Sequence, residues 1–272
     1  MVISWEKFKE EMLAVQSEAS FLYRGHASQD WRLQTTLFRY TKKNRMLASK
    51  YHEILLKVRE DSHIKQHAEF AKLSLPDESP FKIGILHSDS DGGRHYNNFK
   101  STFGMMILLR HLGFPTPILD WTKNYRVAAF FALANTTQDE DIAIYQIENN
   151  TNSASIFGLN LYFSEFEFDS SIISRHNRQN SVYSLAIEQT HYDTVCSPEK
   201  KTGPELYLDD CKHLLEARGN VKKYIIENSK KNRIAMLKEL YDENLSWKQI
   251  YDETHILENT VLKDLAIQTL LF

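Results

Sequence analysis

Arg24 is the first residue whose setting asks for chemistry. It stands in Ser20-Phe-Leu-Tyr-Arg-Gly25, a short aromatic run closed by glycine that otherwise reads as a core strand. A guanidinium buried there without a partner is costly. Either a cleft holding phosphates or carboxylates suits its bidentate fork, or a carboxylate pairs with it on a strand edge. A second concentration is Arg110-His111-Leu-Gly113-Phe-Pro115-Thr116-Pro117-Ile-Leu-Asp120-Trp121-Thr122. It reads as a loop that gathers an imidazole, two hydroxyls, a carboxylate and an indole behind a rigid turn. Asp120 either orients a partner or, like Thr122, caps the helix that follows. Trp121 either stacks on a nicotinamide or a base or packs in the core, and His111 is a base or a structural hydrogen-bonding residue. His191, Cys196, Cys211 and His213 carry zinc-type ligand atoms. Their spacing is irregular and interrupted by Pro198, Gly203 and Pro204, so no metal site is expected. G-x-G-x-x-G, Walker, G-x-S-x-G and H-E-x-x-H motifs are absent.

These groups need elements to hold them. Ser4 suits an N-cap for a helix in which Trp5, Phe8, Met12 and Val15 share one face. Helices are also expected over 46–72, over 99–112 and in the small, apolar segment Tyr125–Asn135. Strands are expected over 20–25, 142–147, 181–187 and 222–226, with one or two more within 155–168. Pro76 to Asn98 holds two prolines and three glycines and reads as a loop. The last 45 or so residues read as helical, with Ser246-Trp-Lys-Gln249 as a capping box. The expected fold is α+β, a mixed, mainly antiparallel sheet flanked by helices. It forms a single domain over 1–272, with an N-terminal helix in 1–18 and a helical segment over 228–272 packed on it.

Composition narrows the classes. The chain has 272 residues, 33 Lys+Arg against 36 Asp+Glu, and 42% apolar residues. Its 15 Phe, 13 Tyr and 4 Trp exclude a disordered chain, and two cysteines exclude a disulfide scaffold. The longest clean apolar run, Val127 to Ala134, is far short of the roughly 18 residues of a membrane span. The first residues lack a signal-peptide pattern, so a cytoplasmic protein is expected. The formal net charge of −3 argues against a generic nucleic-acid binder. Only 9 Gly and 6 Pro punctuate the chain, yet one Gly and two Pro fall within Gly113–Pro117. Such residues fix a backbone shape that little else in the chain asks for.

Tyr23-Arg24-Gly25, Trp31 with Leu37-Phe38-Arg39, and His111 to Thr122 followed by Ala128-Ala-Phe-Phe-Ala132 together resemble the FRG domain, named for its Phe-Arg-Gly motif. Arg175-x-x-x-Gln179-x-x-x-Tyr183 and Tyr224-Ile-Ile226 extend the resemblance. Tyr23 replaces the family's Phe, Arg110 stands where Gln is usual, and Pro117 replaces an Arg. The same order of motifs is similar to that of Arg-Ser-Glu ADP-ribosyltransferases. That likeness implies an ADP-ribosyltransferase-like sheet and NAD, or a related nucleotide, as substrate or ligand, with no resident cofactor. Arg24 would anchor the phosphates and ribose, Thr116 or Thr122 would support the ring pocket, and Trp121 would pack beside the nicotinamide. The implied catalytic set is Arg24, Asp120 and Gln179, with Tyr23, Gly25, His111, Thr116, Trp121, Thr122 and Arg175 binding ligand. Gln179 occupies the position of the essential Glu and cannot supply its full charge, leaving Glu188 or Asp120 as substitutes. The resemblance therefore implies either ADP-ribosyl transfer or NAD hydrolysis in bacterial defence or stress, or a module that binds a nucleotide or a partner protein without turnover. Polymeric nucleic acid and membranes are not expected partners.

Overall fold

The computed structural model describes residues 1–15, 21–60, 75–77, 92–111, 113–134, 136, 139–149, 154–156, 159–164, 174–189, 206–209 and 221–250. Their order is β1 (Val2–Ile3), α1 (Trp5–Val15), β2 (Phe21–His26), α2 (Thr36–Thr41), β3 (Arg45–Leu47), α3 (Ala48–Glu60), α4 (Gly92–His111), β4 (Ile118–Thr122), α5 (Tyr125–Ala134) and β5 (Ile142–Glu148). Then follow β6 (Ala154–Ile156), β7 (Leu159–Ser164), α6 (Ser174–Arg178), β8 (Ser181–Gln189), β9 (Leu206–Asp209), β10 (Lys222–Ile226), α7 (Lys230–Asp242) and α8 (Trp247–Ile250). The strands form one mixed sheet in the order β1-β10-β5-β2-β4-β8-β7-β6, with β9 pairing both β8 and β3. Only β1 on β10 is parallel among these pairings. The fold is α+β.

Side-chain alternation assigns the two faces of the sheet. Tyr23, Ile142 and Ile144 join α1, α5 and α7 in one core, while Ile118, Tyr183, Leu185 and Ile187 join α3 and α4 in another. Both cores lie on the same face, because Tyr23 pairs with Thr122, two residues from Asp120 and four from Ile118. Leu22, Leu119, Trp121, Ala143, Tyr145, Ile147, Val182 and Ala186 point the other way and form a third cluster. The helix face is closed tightly at Gly25. A Cβ placed there would meet the Ala128 carbonyl oxygen at 1.8 Å and the Ala132 Cβ at 3.2 Å. Small side chains on α5 and the absence of one at Gly25 let helix and strand backbones touch.

The two halves of the sheet are joined at a narrow seam. β2 pairs with β5 over six residues and β4 with β8 over five, but β2 meets β4 only at Tyr23↔Thr122. Beyond that pair the strands part, with Arg24, Gly25 and His26 on one lip and Trp121, Asp120 and Leu119 on the other. Ile118–Thr122 is thus a strand and not the loop expected, since five β-prone residues find partners along β8.

Other boundaries also move. Met46 and Leu47 belong to β3 on β9, so the helix there begins at Ala48. α4 begins at Gly92, inside the stretch expected to be a loop. Its buried Phe103, Met106, Ile107 and Leu109 outweigh the roughly 1 kcal/mol that each glycine costs in a helix. The remaining residues of 61–91 and those beyond 250 lie outside the described part, as do His191, Cys196, Cys211 and His213. Ser4 and Ser246 cap their helices as expected, accepting from the Lys7 and Gln249 backbone N–H groups. Among the described residues no helix is long and apolar enough to cross a membrane.

Candidate functional site

The corner before β4 is locked from three sides. Gly113 sits at φ 89°, the left-handed region that glycine tolerates, and its N–H bonds the Arg110 carbonyl while that of Phe114 reaches Leu109. This ends α4 and leaves Arg110 in its last turn. Tyr51 donates its hydroxyl to the Pro115 carbonyl at 3.1 Å. Thr116 holds the start of α2, accepting from Leu37 N–H at 3.1 Å while its own N–H bonds Thr36 Oγ1 at 3.0 Å. Helices α2 and α4 are therefore fixed beside the seam.

At the seam, side chains join what the backbones do not. Arg24 projects from the face away from α5, and its Nη1 reaches the Asp120 carbonyl at 2.6 Å and the Asp120 carboxylate at 3.2 Å. Arg110 reaches the same Oδ1 from the helix side, at 2.9 Å from Nε and 2.7 Å from Nη2. Two guanidiniums from opposite faces thus share one carboxylate, which the parting of β2 and β4 allows. Burial alone would raise the Asp120 pKa, but the charges of Arg110 and then Arg24, with the Arg110 hydrogen bonds, hold it well below the usual carboxylate range. The arginine side chains are 13% and 17% exposed against 43% for Asp120, so the carboxylate is the open part of the triad.

Arg39, on α2, is the third cation of the group. Its pKa is lowered by desolvation first, then by the charges of Arg110 and Arg24, with Asp120 opposing. Behind Arg24 lies His26, whose Nε2 accepts from Arg24 Nε at 3.1 Å. Its Nδ1 therefore carries the proton, facing the Trp31 carbonyl at 3.3 Å. Burial, then the Arg24 charge, push the His26 pKa down to about 3. The ring is a neutral spacer that orients the guanidinium.

A cleft of about 350 Å³ opens at this point, lined by Tyr23, Arg24, Gly25, Trp31, Asp120, Trp121, Thr122, Phe131, Gln179 and Ser181, among others. Residues far apart in sequence, Arg24, Asp120 and Gln179, share it. Thr122 Oγ1 donates to the Gln179 carbonyl at 2.6 Å and accepts from Asn124 N–H at 3.1 Å, tying the cleft floor to the start of α5. Neither Asp120 nor Thr122 caps α5: Asn124 does so, through its Oδ1 to Arg126 N–H at 2.9 Å. Gln179 is buried, and its amide reaches the Ile250 carbonyl at 3.5 Å.

Several expected site residues have other surroundings. Trp121 contributes to the cleft wall, but it is 2% exposed and its Nε1–H is taken by Ser184 at 2.9 Å, so its indole packs in the core. Thr116 is fully buried in the α2 junction. His111 does not line the cleft; its Nε2 is 2.9 Å from the Tyr183 hydroxyl, which also lies 3.2 Å from His176 Nδ1. Glu188 pairs with Arg45 at 3.5 Å. Arg175 falls on α6, with its side chain outside the described part. Sequence reasoning missed Arg39, Arg110, His26 and Trp31 as site residues. The signal for Trp31 was its place between two arginine-bearing motifs. Trp31 is 51% exposed at the lip of the cleft, while its carbonyl is held by Tyr145 at 3.0 Å.

The family model of the FRG domain matches residues 19–141. No curated protein and no solved structure matches the chain. The matched span includes Arg24, Arg39, Arg110 and Asp120 and ends before Gln179.

Proposed function

We propose that this chain, whose residues 19–141 are an FRG domain, binds NAD or a related nucleotide in the cleft between β2 and β4. The observation that carries the reading is the cationic seam: Arg24 and Arg110 on one carboxylate with Arg39 beside them, a formal excess of two positive charges. Preorganised guanidiniums suit phosphate oxygens. The exposed Trp31 indole offers a face for a base or nicotinamide in place of the buried Trp121. Thr122, Gln179 and Ser181 supply polar groups to the cleft.

Turnover is the second reading, favoured by the Asp120 carboxylate, whose pKa the charges of Arg110 and Arg24 hold well below the usual carboxylate range. A carboxylate beside the nicotinamide ribose would stabilise an oxocarbenium-like centre during ADP-ribosyl transfer or NAD hydrolysis. Two guanidiniums already draw on that charge, and Gln179 adds none, so binding is the primary role. Calorimetric titration of NAD, followed by assay for NAD loss, separates the readings. We expect saturable binding, weakened at least tenfold in Arg24→Ala, and intact NAD after incubation. No heat with NAD, ADP-ribose or ADP would overturn the reading; consumption abolished by Asp120→Asn would establish turnover instead.

A further inference from the structure

We infer that Asp120 reads the sugar of the ligand: its Oδ2 accepts hydrogen bonds from the vicinal hydroxyls of a ribose held in the cleft. The two oxygens of this carboxylate have different duties. Oδ1 faces Nε of Arg110 at 2.9 Å and Nη2 at 2.7 Å, and Nη1 of Arg24 lies 3.2 Å away. No other described residue donates to Oδ2. An ionised carboxylate offers about four lone-pair sites over its two oxygens, so the share of Oδ2 is uncommitted. Asp120 lines the cleft with its side chain 43% exposed. With Oδ1 covered by guanidiniums, Oδ2 is the acceptor it offers to a ligand.

That acceptor is held in place before any ligand arrives. Arg24 is pinned by His26 Nε2 at 3.1 Å and by the Asp120 carbonyl at 2.6 Å, while Arg110 grips the carboxylate from the last turn of α4. Little ordering remains to be done on binding. Charge decides which donor suits it. Two guanidiniums already offset the carboxylate, so a third cation is not called for, and an anion is repelled from Oδ2. A neutral O–H donor forms a short, charge-assisted bond there. The Thr122 hydroxyl does not compete, because it is spent on the Gln179 carbonyl and the Asn124 N–H. The step from a hydroxyl to a ribose rests on the nucleotide reading. With phosphates at Arg24 and a ring at Trp31, both lining the same cleft, the sugar is the part of the ligand that lies between. One oxygen with two lone pairs can take both hydroxyls of its cis-diol.

Calorimetry on the full chain with ADP and 2′,3′-dideoxy-ADP isolates the diol, since the two share ring and phosphates. We expect wild type to bind ADP about tenfold more tightly, the scale of a hydrogen bond to a charged group. Asp120→Ala is expected to bring the ratio close to one. Asp120→Asn should lie between, because its amide oxygen turns to the arginines and its N–H₂ group faces the cleft. The ratio is taken within each variant, so lost stability or a gain in phosphate affinity from the unmatched guanidiniums cancels. Asp120→Asn, the milder change, carries the test where Asp120→Ala does not fold. Equal wild-type affinity for the two compounds would overturn the inference and leave the nucleotide reading standing. A tenfold preference that survives both substitutions would do the same. Absence of binding by ADP, dideoxy-ADP and NAD would overturn that reading and this inference with it.

Discussion

Arg24 and Gly25 are neighbours on β2, yet they face opposite kinds of environment. Gly25 looks into the helix face, where α5 approaches until backbone meets backbone. Arg24 looks into the seam, where the strands have parted and a carboxylate shared with Arg110 holds the gap. The sealed contact is specified by shape and leaves no room for a Cβ at position 25. The seam is specified by charge and carries an excess. A rigid closed layer beside an underneutralised opening is how a sheet can hold charged groups in place without collapsing around them.

The sealed side is the more sensitive to change. Gly25→Ala is expected to cost about 3 kcal/mol or more in urea unfolding, at the upper end for overpacking, because the clash is with a carbonyl oxygen that cannot rotate away. Unfolding within about 0.5 kcal/mol of wild type, the range of an ordinary surface change, would mean that helix and strand do not approach so closely. Added pyrophosphate should restore no more stability to this variant than it lends wild type, since the lesion is the contact with the Ala128 carbonyl and not the charge balance of the Arg24–Asp120–Arg110 triad.

At the seam the expected behaviour is different. Asp120→Asn leaves Arg24 and Arg110 facing each other without their shared counter-charge. Removing one partner of a fully buried pair costs about 3–5 kcal/mol, but the exposure of Asp120 reduces this to about 1–2 kcal/mol. An anion can take the place of the lost carboxylate, so pyrophosphate should raise the melting temperature of this variant more than that of wild type. Equal stability with and without Asp120, in the absence of anions, would sink the electrostatic account of the seam.

This contrast also explains what was legible in the sequence. The β5 and β10 runs announce themselves because β-branched and aromatic residues fall together in short stretches and glycine and proline stay outside them. Arg24 and Asp120 draw attention for the same reason, as charges set within apolar strands. Arg39 and Arg110 stand within motifs the sequence singles out but receive no site role from it, because an arginine on a helix reads as a solvated face until tertiary structure shows what it meets. Trp31 and Trp121 are alike in composition and opposite in burial, which depends on where β2 and β4 diverge, a property of pairing and not of either residue. The start of α4 was hidden by two glycines, whose local preference loses to a packed face ten residues away.

His26 gives the finest test of the seam, because it touches Arg24 from behind without joining the carboxylate. Its pKa is lowered to about 3 in the folded chain from the ordinary value near 6.5, first by burial and then by Arg24, with smaller contributions from Arg39 and Lys223. Between those values the unfolded chain binds one proton that the native chain refuses, so stability rises with pH across the window and is lost as pH falls through it. One proton corresponds to a slope of at most about 1.4 kcal/mol per pH unit between the two values; above pH 6.5 the slope vanishes and the stability is fully retained. His26→Gln keeps an acceptor for Arg24 and a donor for the Trp31 carbonyl but cannot titrate. Denaturation curves at pH 7, 6 and 5 should therefore show a steeper decline for wild type than for His26→Gln, over a range where ordinary carboxylates remain largely ionised. Parallel slopes would mean that His26 does not serve as a neutral acceptor for Arg24. The guanidinium would then be aimed by Asp120 alone, and the seam would depend on one carboxylate with no support from behind.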